Sequence, residues 1–243
     1  MTTNPSLSTL DLDGVRRILC VAAHPDDLEY GISAAVAAWT AAGIEVDYLL
    51  LTSGEAGMQR EPEIVGPLRA REQSRACEIV GVNNLKICDF PDGHLEPGLP
   101  LRRAIARSIR KRRPDIVVTS NFEMEVPWGL NHVDHRIVGE AVVDAIRDAG
   151  TRWIHRELLD DGLEPHVTQR LLIGGYPDER CNVYVDVTGG PLRQGIDSLN
   201  AHEEYLADLL DHPAPEDFLP EMAHATGRRV GVKAAIGFRE WPM

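Results

Sequence analysis

The chain has 243 residues and an apolar content of 43%, which suits one large α/β domain with a proper core. Asp and Glu number 38 against 25 Lys and Arg, a formal charge of −13, and such a surface repels phosphate backbones and anionic membranes, which argues against nucleic acid and membrane as partners. The four cysteines Cys20, Cys77, Cys88 and Cys181 form no C-x-x-C pair. The polar stretch 1–13 has no apolar h-region, and no apolar run is long enough to span a bilayer, so the chain reads as a cytoplasmic protein with reduced thiols and no signal peptide.

Residues 17–23 read as a first strand, 30–42 as an alanine-rich helix stopped by Gly43, and 44–52 as a second strand apolar enough to be buried on both faces. Residues 54–66 read as a polar loop, 68–80 as a helix ending at Gly81, 85–88 as a short strand and 90–100 as a turn-rich loop. A basic amphipathic helix follows over 101–112, ended by Pro114, then a fourth strand over 115–120, a loop over 121–131 and a helix over 132–149 closed by Gly150. Beyond it, 169–174 and 182–187 resemble strands and 192–210 a helix. The tail from Asp211 has three prolines before Glu221 and little periodicity. The whole chain, 1–243, reads as one domain, with 1–13 as a flexible segment and 150–243 as a variable part shaping the substrate side.

Strands separated by helices argue for an α/β fold: a Rossmann-like, mostly parallel sheet with helices on both faces. In the strand order 3-2-1-4-5-6, strands 1 and 4 are neighbours at the switch point, where such sheets bind ligands. The first strand ends in His24-Pro25-Asp26-Asp27, and the loop after the fourth leads into Asn131-His132-Val133-Asp134-His135. Taken alone, the first motif is as well explained by helix capping, and the second is more often capping than chemistry. Two such motifs at one crevice point to a metal site: His24 and Asp27 from one loop, completed by a histidine from the other, with a position left for water. His132 and His135 share a helix face, so one can bind metal while the other points at the substrate. Asp26 is the candidate to take a proton from metal-activated water.

His24-Pro25-Asp26-Asp27, followed by Thr52-x-Gly54-Glu55-x-Gly57 and His132-x-Asp134-His135, resembles the LmbE/PIG-L family of zinc-dependent N-acetylglucosaminyl deacetylases. The resemblance implies one Zn²⁺ per chain on His24, Asp27 and His135, with Fe²⁺ as the other metal suited to such ligands. It implies Asp26 as general base, His132 polarising the carbonyl or oxyanion, and Asp134 fixing a ring orientation. It further implies Arg69 and Asp92 as substrate-binding residues, an amino-sugar small molecule as substrate, and a homo-oligomer. The reaction implied is removal of an N-acetyl group from an N-acetylglucosamine-type sugar or its conjugate. The alternatives are an amidase acting on another sugar-linked amide, such as a thiol-sugar conjugate or antibiotic intermediate, and a sugar-binding homologue without catalysis. A nucleotide-binding Rossmann protein is disfavoured because no G-x-G-x-x-G follows the first strand.

The chain departs from the family pattern in three places. Val133 replaces a proline, Leu130 stands where some members have an oxyanion-binding tyrosine, and His202-Glu203-Glu204-Tyr205 stands in place of His-x-Ser-Gln. His94, His155, His166, His212 and His224 read as non-ligands, with His94 close enough in sequence to Asp92 to line the pocket.

Overall fold

The structure is a computed structural model that describes residues 7–127 and 129–243. Its elements, in chain order, are β1 (Ser8–Thr9), β2 (Arg17–Ala22), α1 (Ser33–Ala41), β3 (Glu45–Leu50), α2 (Pro62–Val80), β4 (Asn84–Ile87), α3 (Leu99–Arg112) and β5 (Ile116–Ser120). There follow β6 (Glu125–Val126), β7 (Gly129–Leu130), α4 (Val133–Gly150), α5 (Glu157–Asp160), β8 (Arg170–Gly174) and β9 (Val183–Asp186). The remainder comprises α6 (Gly190–Asn200), α7 (Glu203–Asp208), α8 (Pro215–Val230) and β10 (Ala235–Pro242).

Eight strands form one sheet in the order β1-β9-β10-β8-β5-β2-β3-β4. Neighbours from β4 through β8 are parallel, as are β1 and β9, while β10 runs antiparallel to both β8 and β9. β2 and β5 lie side by side, with Ile18 opposite Ile116 and Val21 opposite Thr119, so the crossover direction reverses between them. Alternation along β2 splits the core in two. Ile18, Cys20 and Ala22 face α1, the end of α2 and α8, whereas Leu19, Val21 and Ala23 face α3 and α4. Both faces of β2 are covered, which is why its sequence is a continuous apolar run.

Four sequence expectations change. Helix α2 begins at Pro62, inside the stretch read as loop, because proline at a first helical position has no N–H to satisfy and the right φ already set. The expected helix over 192–210 is two helices, α6 and α7, broken at Ala201 and His202. The tail read as irregular contains α8 and β10; Pro215 opens α8, and the alternation of β10 is blurred because both its edges are paired and Phe238 is buried. Within the segment expected to be flexible, Ser8–Thr9 pair with β9 and Leu10 is buried, while residues 1–6 lie outside the described residues. Among the described residues, no helix is long and apolar enough to cross a membrane.

Candidate metal centre and catalytic carboxylate

The strand–helix turn after β2 and the start of α4 bring His24, Asp27 and His135 together. Asp27 turns back on the strand it follows: its Oδ2 accepts the backbone N–H of Ala23 at 3.0 Å and of His24 at 2.8 Å. Its Oδ1 lies 3.0 Å from His135 Nε2, while His24 Nδ1 lies 3.2 Å from the same nitrogen and 3.6 Å from Asp27 Oδ2. The far side of each ring meets only acceptors. His24 Nε2 lies 2.9 Å from Asp92 Oδ1 and 3.2 Å from Asp134 Oδ2. His135 Nδ1 lies 3.0 Å from Asn131 Oδ1, and Asn131 is itself oriented by donating to the Asn121 carbonyl at 2.8 Å.

These contacts fix the tautomers of the neutral rings. His24 carries its hydrogen on Nε2 and His135 on Nδ1, so the lone pairs of His24 Nδ1 and His135 Nε2 point at each other and at the Asp27 carboxylate. Three acceptors with no hydrogen between them call for a cation. Ligand atoms around a four-coordinate metal with bonds of about 2.0–2.1 Å sit about 3.3 Å apart, close to the 3.2 Å from His135 Nε2 to His24 Nδ1 and the 3.0 Å from it to Asp27 Oδ1, while Asp27 Oδ2 is taken by the two backbone N–H groups. The charge balance agrees. Burial opposes protonation of His24 and His135, yet the carboxylates around them, Asp27 foremost, hold both above the ordinary histidine value. Burial would raise Asp27, but His135 and His24 hold it well below the usual carboxylate range. The pocket is thus negative enough to attract positive charge.

Donor atoms of two overlapping sets, His24 with His132 and His135, and His24 with Asp92 and Asp134, also lie within 4.8 Å of one another. The carboxylates of the second set are already engaged. Asp134 accepts from the N–H groups of Gly93 and Leu95, Asp92 accepts from Ala56 N–H, and both face the His24 N–H. They orient the His24 ring. His132 caps α4, with Nδ1 accepting from Asp134 N–H at 3.2 Å, so its Nε2 carries the hydrogen. Burial and the adjacent His24 and His135 hold it below the ordinary histidine value, a neutral donor on the exposed side.

Asp26 stands apart from the ligand cluster in a left-handed backbone conformation, φ +83°, that a side chain rarely adopts outside functional turns. Its N–H donates to Gln73 Oε1 at 2.9 Å, and its carbonyl accepts from Glu29 and Tyr30. Oδ1 lies 3.2 Å from Arg69 Nη2, the Tyr205 hydroxyl stands close to the carboxyl, and the buried Oδ2 makes no close hydrogen bond among the described residues. Burial raises this carboxyl to about 7, against the pull of Arg69, so a free oxygen sits at a group tuned to exchange a proton near neutrality.

Arg69 is buried and fully turned inward. It donates to the Gly54 carbonyl at 3.0 Å and the Pro25 carbonyl at 2.6 Å, and its guanidinium stacks 3.9 Å from the centre of the Tyr205 ring. This explains the glycines of Thr52-x-Gly54-Glu55-x-Gly57. A Cβ at Gly54 would overlap Arg69 Nη1, one at Gly57 would come within 2.7 Å of it, and Gly54 also has φ +63°. Glu55 completes the turn by accepting the Asp92 N–H at 2.8 Å.

The eight residues singled out from sequence therefore gather at one place. Arg69 and Asp92, at 2% and 7% exposure, lie against Asp26 and His24 respectively. His94 and Leu130 are exposed, and His202 is wholly buried with neither ring nitrogen bonded among the described residues. Sequence reasoning missed Gln73, Glu29, Asn131 and Tyr205. The only signal for Gln73 is its place one helical turn beyond Arg69, on the same face of α2.

The profile of the GlcNAc-PI de-N-acetylase family, PIG-L, matches residues 19–146, which hold β2 through most of α4 and the whole cluster. The chain belongs to this family. Its relatives include the diacetylchitobiose deacetylase of Thermococcus kodakarensis, 32% identical over 235 residues, covering 94% of this chain and 84% of that one. The structure of N,N′-diacetylchitobiose deacetylase from Pyrococcus horikoshii superposes with a TM-score of 0.83 at 23% identity, over 95% of this chain and 85% of that one. That of a conserved protein from Thermus thermophilus does so at 0.77 and 27% identity, over 93% and 95%. The fold shared with these structures therefore runs on beyond residue 146, where the family profile ends.

Proposed function

We propose that this PIG-L protein is a zinc-dependent hydrolase that removes the N-acetyl group from an N-acetylglucosamine-type sugar or a small conjugate of one. The convergence of the His24, Asp27 and His135 lone pairs beside the free oxygen of Asp26 carries this reading, supported by the deacetylase activity named for the Thermococcus relative. His24, Asp27 and His135 would hold the ion, which supplies a Lewis acid for the amide carbonyl and lowers the pKa of water.

Asp26 takes the proton of the attacking water on its unpartnered Oδ2, while Arg69 holds Oδ1 and keeps the carboxylate aimed. His132 donates from Nε2 to the oxygen of the former carbonyl as negative charge develops there. Asp26 then returns the proton to the nitrogen as the C–N bond breaks, releasing acetate and a free amine. Leu130 leaves no hydroxyl at the position two residues before His132, so among the described residues His132 is the side chain placed to meet that charge.

The deciding experiment measures acetate released from N-acetylglucosamine, its oligomers and its glycosides by protein stripped of metal and reloaded with one equivalent of zinc. Release that depends on zinc supports the proposal. Stoichiometric zinc binding with no release from any N-acetylated sugar refutes the substrate class, and failure to bind zinc refutes the metal assignment.

A further inference from the structure

Asp26 holds a left-handed backbone conformation, φ +83°, and the Gln73 side chain accepts its N–H. Gln73 is fully buried on α2, and its Oε1 accepts that N–H at 2.9 Å. A glutamine amide can enter such a contact either way round, and only the oxygen-inward orientation bonds an N–H. The other end decides. Gln73 Nε2 donates to Glu29 Oε1 at 3.0 Å, the Cys77 sulfur at 3.6 Å being a far weaker acceptor.

Glu29 is otherwise badly placed for stability. It is 1% exposed, its Oε2 has no partner among the described residues, and Cys20, Tyr48 and Cys77 surround it. A carboxyl group in such surroundings costs the fold, and an apolar side chain of the same length would not. Among the described residues, the side chain that bonds its carboxyl is Gln73.

We propose that Glu29 is a positioning residue that acts through Gln73, fixing the amide so that its oxygen holds the Asp26 backbone in the conformation that aims the base. The inference rests on the reading of Asp26 as general base. With the Glu29 acceptor removed, the amide loses the bond that anchors its nitrogen end, and its hold on the Asp26 N–H slackens. A misplacement of about 1 Å in a catalytic group costs on the order of 100-fold in rate.

The test compares Glu29→Met, which keeps the length and loses the acceptor, with Glu29→Gln, which keeps an acceptor oxygen for Gln73. Both are prepared as zinc-loaded full-length protein. For Glu29→Met, kcat is expected to fall about 10- to 100-fold with KM within about twofold and zinc content unchanged. Exchange of the Asp26 backbone amide with solvent should quicken about tenfold or more, while the amides of β2 keep their protection. Glu29→Gln should restore kcat to within about threefold and the Asp26 protection with it. The proposal is overturned if Glu29→Met keeps wild-type kcat and wild-type Asp26 protection, if Glu29→Gln is as impaired as Glu29→Met, or if the lost activity tracks lost zinc. The amide-exchange comparison needs no substrate, so it decides the role of Glu29 even where the wild-type protein hydrolyses none of the sugars tried.

Discussion

His202 gives a prediction whose size follows from its surroundings. It sits at the break between α6 and α7, wholly buried, with neither ring nitrogen bonded among the described residues. Burial, reinforced by Arg69 and Arg75, depresses its pKa to about 3. In the unfolded chain the same ring titrates at about 6.5. The unfolded state therefore takes up a proton that the folded state refuses. The contribution to stability is whole above pH 6.5 and is lost progressively as pH falls from there towards 3. Between pH 8 and pH 5 the loss from this group is about 2 kcal/mol by linkage. Replacing His202 with leucine, close to it in volume, removes the titration and two unsatisfied polar atoms together. Urea unfolding of both proteins at pH 8, 6.5 and 5, each stripped of metal, isolates the effect, because every other titrating group is shared. The variant should be at least as stable as wild type at pH 8, and its advantage should grow by about 2 kcal/mol at pH 5. A difference that stays constant within about 0.5 kcal/mol across that range would refute the reasoning, since it would mean that folded His202 accepts a proton freely.

Further outcomes can be checked on the same preparations. Asp26→Asn should lower kcat by about 100- to 10,000-fold while metal analysis still finds wild-type occupancy, because the base is lost and the three ligands stay. His135→Ala should instead lose the metal, leaving His24 and Asp27 as an incomplete set; full occupancy in elemental analysis would move the site elsewhere. Gly54→Ala forces a Cβ into Arg69 at a positive φ, and should cost activity through displacement of Arg69 from Pro25 and Asp26. Retained kcat in a folded Gly54→Ala protein would count against Arg69 as the support of the base.

The parallel half of the sheet and the gathering of the candidate ligands at its switch point are legible because their chemistry is local. A strand buried on both faces must be continuously apolar, and polar residues clustered at its end stand out against it. What the sequence hides is the supporting layer, where each role depends on a partner distant in the chain. Arg69 and Asp92 look like surface residues in a helix start and a Pro-Asp-Gly turn, yet Gly54, Gly57 and Ala56 fold over them and turn them inward. Gln73 and Glu29 look like ordinary helix and turn residues until 44 positions of chain close to 3.0 Å. The region beyond Asp211 is illegible for another reason. Proline marks its helix start and a second proline lies inside, so breaker signals mask a helix held by packing.

The place of β10 has a consequence for how the protein is made. Last of the strands in the chain, it lies between β8 and β9 in the sheet and bonds both. During synthesis on the ribosome, β2 through β8 can assemble as a parallel unit that already carries His24, Asp26, Asp27 and His135. Until β10 emerges, that unit presents β8 as a bare edge, and β9 with β1 has nothing to dock against. The nascent chain would thus hold its reactive groups in place well before its sheet is closed, and the interval between those two events is when it is most open to pairing with another copy of itself.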